Sequence, residues 1–313
     1  MKFFHVLIVI NFVISISDIA TAAKKNQQPS KSAECGRPAV SQRQPRLDDL
    51  EDVIQPKKLS PSKTTGRIFN GKPSRKGSWS WQVSLQLLHP KLGFIGHWCG
   101  GVLINPSWVL TAAHCIENDV FNLPIGALWT AVIGEQQLDS NVRDSIRIPV
   151  ERIVIHEQFN NYINDIALMK LSRPTPLSKV IRTICLPDVN EKFETNCIIS
   201  GWGRSGPSPS LSSALLEANI PLLDIGVCKQ AYGNTVHLQE GHLCAGHTNG
   251  STGSCVGDSG GPLQCRGSDG AWKLVGITSF GFGCARVGFP DVYSDVSIYS
   301  GWITDTMKFD ENT

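Results

Sequence analysis

From Ile68 onward the chain is broken into short apolar runs: "WQVSLQLL", "GVLINPSWVL", "WTAVIG", "RIPVERIVI", "IALMKL", "NCIISGWG", "ANIPLL", "WKLVGITSF" and "DVYSDV". Many alternate apolar with polar residues, the period of a half-buried strand, and Gly, Pro, Asn or Asp separates them. A chain of this texture folds as an all-β barrel or sandwich. Residues 68–313 suit two packed β-barrels. Only "SIYSGWITDTM", with Ile298, Trp302 and Ile303 at helical spacing, predicts a short C-terminal helix. No solenoid-type repeat is present.

The segment before these runs differs. Lys2 is followed by an apolar stretch from Phe3 to about Ile16 and then by Ala20-Thr21-Ala22, which has the form of a secretory signal peptide cleaved near residue 22. The apolar stretch is short for a membrane anchor and is interrupted by Asn11, so a soluble, secreted, extracellular chain is expected, with no membrane partner. Residues 23–67, rich in Lys, Gln, Pro and Ser, read as a pro-segment rather than a folded domain. The formal net charge of +2 is too small to argue for nucleic acid. In a secreted chain, ten cysteines without a C-x-x-C pair read as five disulfides. The cluster His242, Cys244 and His247 could be read as metal ligands, but a disulfide is the better reading of Cys244, and no metal or cofactor is expected.

Three segments carry chemistry. In "CVGDSGGP", Ser259 sits in a glycine-rich turn where the Gly257 and Ser259 N–H groups can converge on one point, the arrangement that stabilises an oxyanion. A serine hydroxyl needs a base, and the base needs an orienting carboxylate. "LTAAHC" supplies His114, and "NNYINDIALMKL" places Asp165 at the head of a buried strand, where an acid is costly unless hydrogen-bonded.

Together with "WQVSL", "CGGVLI", "ICLP", "SGWG", "LCAG" and "PDVYSDV", these segments resemble the trypsin- and chymotrypsin-like serine proteases from about Arg67 to Met307, in the family's order. The resemblance implies two six-stranded antiparallel barrels with a short C-terminal helix. It makes Ser259 the nucleophile, His114 the general base and then acid, and Asp165 the residue holding the imidazole. Gly257 and Ser259 would form the oxyanion hole.

It also makes Arg67-Ile68 an activation bond. The freed Ile68 ammonium would pair with Asp258 and order the serine turn. The chain departs from the family here, with Phe69-Asn70-Gly71 where Val-Gly-Gly is usual. The implied disulfides are Cys99–Cys115, Cys197–Cys265, Cys228–Cys244 and Cys255–Cys284. The remaining pair, Cys35–Cys185, would tether the pro-segment, giving a monomer of two linked chains.

The specificity pocket departs further. The family position at its base is Gly253, followed by Ser254, while Asp291 stands where the opposite wall usually has Gly. Ser279, Phe280 and Gly281 form that wall. Asp291 could bind a substrate Arg or Lys, as an acid on that wall does in some complement proteases. It could instead fill the pocket by bonding Ser254, leaving room for small or apolar residues as in chymotrypsin- or elastase-like enzymes, or it could be a hydrated structural group. The first reading is preferred, because a cation relieves a carboxylate buried in a pocket. Tyr162 and Phe280 would line the upstream subsites, and His97 and Trp98 the leaving side.

The loops "QLLHPKLGFIGHWC" and "CIENDVFNLPIGALW" are long and flank the cleft, which points to limited proteolysis more than digestion. Asn249-Gly250-Ser251 is a glycosylation sequon. Glu135 matches one calcium carboxylate of some relatives, but Ser145 stands near the place of the second, so calcium is not expected. The reading is a secreted serine endopeptidase with a protein substrate, an activating protease and a protein inhibitor as partners. The rivals are an inactive homologue that binds or regulates, and an esterase, which the absence of a G-x-S-x-G elbow disfavours.

Overall fold

The structure is a computed structural model that describes residues 35–38, 68–119, 121–138, 145–189, 191–204, 210–233 and 235–311. The expected signal peptide, most of the expected pro-segment and Arg67 lie outside the described residues. Two closed antiparallel barrels of six strands each make up the body. The first is built from β2 (Gln82–His89), β3 (Gly93–Asn105), β4 (Trp108–Thr111), β7 (Ala167–Leu171), β6 (Ile146–Ile155) and β5 (Trp129–Ile133), in that spatial order. In the second, β8 (Asn196–Gly201), β9 (Leu216–Leu223), β10 (His242–Ala245), β13 (Asp291–Asp295), β12 (Trp272–Phe280) and β11 (Pro262–Arg266) close through the β8–β9 pairing. The short β1 (Lys72–Pro73) adds to β9.

Alternation sets these strands. On β2, Val83, Leu85 and Leu87 fill the first barrel, yet Gln82, Ser84 and Gln86 between them are buried as well. Their face is covered, and Gln82 Oε1, Ser84 Oγ and Gln86 Oε1 each have a partner, whereas Gln82 Nε2 has none among the described residues. Ser200 Oγ donates to Gln82 Oε1 at 2.7 Å, Gln264 Nε2 donates to Ser200 Oγ at 3.0 Å, and Trp81 Nε1 donates to Gln264 Oε1. This polar seam joins the two barrels. The second barrel is filled by Ile68, Ile199, Leu216, Ile220, Leu263, Val275 and Tyr293.

Helix α2 (Ser300–Glu311) is the C-terminal helix. Ile303 is buried and Trp302 half-buried, but Ile298 lies before the helix and is exposed, so it takes no part in the apolar face. A second helix, α1 (Ile225–Tyr232), interrupts the strands after β9. Asp224 caps it by accepting from the Gly226 N–H at 2.8 Å, and Gly233 ends it at φ 54°. Disulfides link Cys35–Cys185, Cys99–Cys115, Cys197–Cys265, Cys228–Cys244 and Cys255–Cys284, the five pairs the family resemblance implies. No helix among the described residues is long and apolar enough to cross a membrane.

Candidate active site

The site lies where loops of the two barrels meet. His114 sits on a 3-10 turn (Ala113–Cys115) directly after β4, and the Cys99–Cys115 disulfide fixes that turn to β3. Asp165 lies two residues before β7 and is fully buried. Its Oδ1 accepts from the His114 backbone N–H at 2.9 Å, and its Oδ2 lies 2.7 Å from His114 Nδ1. Ser279 Oγ donates to the same Oδ2, and Ser294 Oγ donates to the Asp165 carbonyl at 2.6 Å.

Burial acts to raise the Asp165 pKa, but the His114 charge and the hydrogen bonds from His114 and Ser279 outweigh it and hold the carboxyl below its ordinary value. For His114, burial acts to lower the pKa and the Asp165 carboxylate overrides it, so the imidazole is raised above 6.5. Asp165 therefore does three things at once: it fixes the ring, selects the tautomer with Nε2 free of the proton, and favours the imidazolium.

Ser259 and His114 line one cavity of about 290 Å³. The serine loop is pinned from both barrels. The Gly100 N–H on β3 donates to the Ser259 carbonyl at 2.8 Å, and the Gly260 N–H donates to the Thr278 carbonyl on β12 at 2.8 Å. Gly257 (φ 95°) and Gly260 (φ 75°) adopt backbone conformations that side chains other than hydrogen rarely reach. The Asp258 and Gly261 N–H groups are taken by the Cys255 and Asp258 carbonyls, whereas those of Gly257 and Ser259 meet no carbonyl among the described residues.

His97, expected on the leaving side of the cleft, is instead buried behind this loop. Its Nδ1 lies 2.7 Å from Ser84 Oγ and its Nε2 lies 3.0 Å from the Gly257 carbonyl, and burial pushes its pKa down to about 4. Trp98 packs on Phe121 and donates to the Cys115 carbonyl at 3.0 Å.

Asp258 points away from the cavity, toward Gly201 and Gly203, where any Cβ would collide with its carboxylate. It accepts from the Gly203 N–H at 2.8 Å and the Cys255 N–H at 3.0 Å, and burial raises it to about 7. No cation among the described residues pairs with it. The Ile68 side chain is fully buried in the second barrel. Asn70, where the family has Gly, takes φ 60°, a left-handed conformation that Asn tolerates better than most residues, and its Nδ2 donates to the Ser251 carbonyl at 2.6 Å. Phe69 bridges to Gly253.

The same cavity continues to Asp291 along Ser254, Cys255, Thr278, Ser279, Phe280, Gly281 and Cys284. Gly253 does not line it. A Cβ there would sit 3.0 Å from Asp291 Oδ2, so the carboxylate stands in front of the position the family uses as a base. Oδ2 accepts from the Ser254 N–H at 2.7 Å and the Ser254 Oγ at 2.8 Å. Oδ1 lies beside Gly281, where a Cβ would come within 2.6 Å, and meets no donor among the described residues. Burial raises Asp291 to about 6 against the opposing Ser254 bonds. Ser279 lines the cavity, but its hydroxyl is committed to Asp165.

Tyr162 and Phe280 pack with centroids 4.6 Å apart, and Tyr162 lies 6.2 Å from the His114 ring. A second cavity of about 270 Å³ on the other side of His114 is lined by Glu117, Asn118, Asp119, Phe159 and Tyr162, so one of the two long loops does border the site. Other sequence signals have ordinary partners. Cys244 is in a disulfide, the His247 Nε2 lies 3.2 Å from the Asn219 carbonyl, and Glu135 accepts from the Gln136 and Gln137 N–H groups. The sulfurs beside His114 belong to the Cys99–Cys115 bond and offer no thiolate. Asn249 is exposed on a turn. Nothing in the sequence pointed to Ser294, and His242 stood there only as a possible metal ligand; its ring instead bonds the Gln239 N–H and the Tyr162 carbonyl.

The family model described as Trypsin matches residues 68–303. The chain is 40% identical over 246 residues to proteins named transmembrane protease serine 7 of Mus musculus and of Rattus norvegicus, covering 76% of this chain and 28% of each relative. It is 38% identical over 253 residues to transmembrane protease serine 9 of Rattus norvegicus, covering 80% of this chain and 23% of that protein. The chain thus belongs to the trypsin family of serine proteases, and it spans about a quarter of the length of these relatives.

Proposed function

We propose that this chain is a serine endopeptidase made as a zymogen and activated by cleavage of Arg67-Ile68. The observation that carries the reading is His114, held by the buried Asp165 and opening on the same cavity as Ser259. Ser259 Oγ attacks the substrate carbonyl while His114 Nε2 takes its proton. The oxyanion lies against the unpaired Gly257 and Ser259 N–H groups. The tetrahedral species collapses, the C–N bond breaks, and the amine leaves with the proton from His114. Water then repeats the sequence on the acyl-enzyme. Ser279 and Ser294 hold Asp165 through both half-reactions.

Activation follows from the buried Asp258 carboxyl. Burial disfavours its charge, and an Ile68 ammonium would supply the missing cation and fix the turn that presents both oxyanion donors. The P1 residue is Arg or Lys, because Asp291 lines the cavity with Oδ1 free of donors among the described residues while Ser254 holds Oδ2 in place. The run Phe3–Ile16 followed by Ala20-Thr21-Ala22 has the form of a secretory signal, and the exposed Asn249 is a glycosylation site. The loops at the cleft favour limited proteolysis, and a protein inhibitor would occupy the same cleft.

The test is cleavage of the purified chain at Arg67, followed by kcat/KM on peptides that differ only at the residue before the cut. Activity on Arg and Lys peptides that depends on Ser259 is expected. Complete cleavage with no turnover would sink the catalytic reading in favour of an inactive homologue. A preference for small or apolar residues would sink the basic P1 reading alone.

A further inference from the structure

His242 is buried at the start of β10, in the second barrel, and the catalytic scheme does not use it. Its two ring nitrogens have unambiguous roles. The Gln239 backbone N–H donates to Nδ1 at 3.1 Å, so Nδ1 carries the lone pair and the proton sits on Nε2. Nε2 then donates to the Tyr162 carbonyl at 2.9 Å, across 80 residues of sequence. The edge of the ring meets Phe280, with centroids 5.9 Å apart and planes at 89°.

Tyr162 belongs to the first barrel, in the turn that leads to Asp165. This turn needs outside support. Asn161 and Asn164 take φ of 56° and 52°, and the Asn160–Ile163 bridge closes it together with the Asn164 Nδ2 donation to the Gln158 carbonyl at 2.9 Å. Left-handed conformations at residues other than Gly persist when their surroundings fix them. One support is the Tyr299 hydroxyl, which donates to Asn164 Oδ1 at 3.1 Å. The other is His242, which holds the carbonyl of the residue whose ring forms the cleft wall. Through one imidazole, the Tyr162 backbone and the Phe280 ring are held at a set spacing from opposite barrels.

We infer that His242 is a positioning residue for substrate selection: it sets the spacing of the Tyr162–Phe280 wall and so the fit of substrate side chains upstream of the cut. The inference rests on the endopeptidase reading. It predicts a selective defect, because His242 touches the wall and not the groups that make and break bonds.

The experiment compares the activated wild type with His242→Leu and His242→Gln on two substrates. One is a tripeptide amide with a bulky apolar residue immediately upstream of the Arg. The other is an arginine ester with nothing upstream. His242→Leu keeps the volume and loses both hydrogen bonds; its kcat/KM on the tripeptide should fall five- to tenfold through KM, with ester turnover within twofold. His242→Gln, whose amide can still donate to the Tyr162 carbonyl, should recover to within threefold of the wild type.

If His242→Leu does not fold, His242→Met, which keeps the bulk and loses both hydrogen bonds, carries the same test and should show the same split between substrates. Equal losses of the Leu variant on both substrates, or no loss on either, overturn the inference while leaving the enzyme reading intact. A wild type inert toward both arginine substrates overturns the basic P1 reading and this inference with it; the enzyme reading falls only if peptides with Ala or Leu before the cut are also left intact.

Discussion

Asp291 lines the cavity, with one oxygen fixed by two donors from Ser254 and the other beside Gly281. A charge-assisted hydrogen bond to a substrate cation is worth about 1.5–3 kcal/mol, so Asp291→Gly should lower kcat/KM on Arg peptides roughly 10- to 100-fold and leave Leu peptides little changed. Because burial raises Asp291 to about 6, its charge is present above that pH and is lost as pH falls through it. The Arg-to-Leu ratio of kcat/KM should therefore decline below about pH 6, while the titration of His114 affects both substrates and cancels in the ratio. A ratio flat between pH 5 and pH 8 would remove Asp291 as the specificity acid. Asp165→Asn tests the other acid: with the wrong tautomer favoured at His114, kcat should fall about 10⁴-fold with KM little changed. His114, Asp165, Ser259 and Asp291 were legible because each stands in a short motif or breaks one. The roles of Ser294 and His242 were not: a serine on a strand carries no signal, and His242, which the sequence offers only as a possible metal ligand beside Cys244, meets Tyr162 only once the two barrels are brought together.

At the scale of elements, the serine loop is held by strands of both barrels, and Gly100 is its tightest contact with β3. A Cβ at Gly100 would lie 2.8 Å from Gly261 Cα and 2.9 Å from Gly261 N, backbone atoms that cannot rotate away. Gly100→Ala should therefore displace the loop that carries Ser259 and lower kcat at least tenfold, more than it lowers stability. Active-site titration against thermal unfolding checks this, and unfolding that accounts for all the lost activity would refute it. The strands themselves were legible from alternation. The polar face of β2 reads as solvent-facing, however, and is buried: Ser200 of the other barrel meets Gln82, and His97 of the neighbouring β3 meets Ser84. Helix α1 was missed for a different reason. "IGVCKQAY" contains Ile, Gly and Val early and only eight residues, so its periodicity is weak, and the Asp224 and Gly233 caps were its clearest marks. At α2 the spacing was right in kind, but it counted Ile298, which precedes the first turn.

At the scale of the whole molecule, the Cys35–Cys185 bond spans 150 residues of sequence and encloses the Arg67-Ile68 bond. The segment it holds is also docked: the Gly36 N–H donates to the Thr183 carbonyl at 2.9 Å, and the Trp272 N–H donates to the Gly36 carbonyl at 2.8 Å. Only glycine fits there, at φ 64°, because a Cβ would meet the Trp272 carbonyl. Cleavage at Arg67 should leave one band on a non-reducing gel and two after reduction. Two backbone hydrogen bonds, each worth about 1 kcal/mol, are too weak to retain the segment without the disulfide. The double variant Cys35→Ser with Cys185→Ser should therefore release it on cleavage. Cleavage also changes what the disulfide does for stability. In the intact chain it closes a long loop and restricts the unfolded state, worth about 5 kcal/mol for a loop of this size; once Arg67-Ile68 is cut, the loop is open and that contribution is gone. The double variant should lower Tm by several degrees in the uncleaved protein and much less in the cleaved one. Equal losses in the two forms would mean that the bond stabilises through the docked segment itself and not through loop closure.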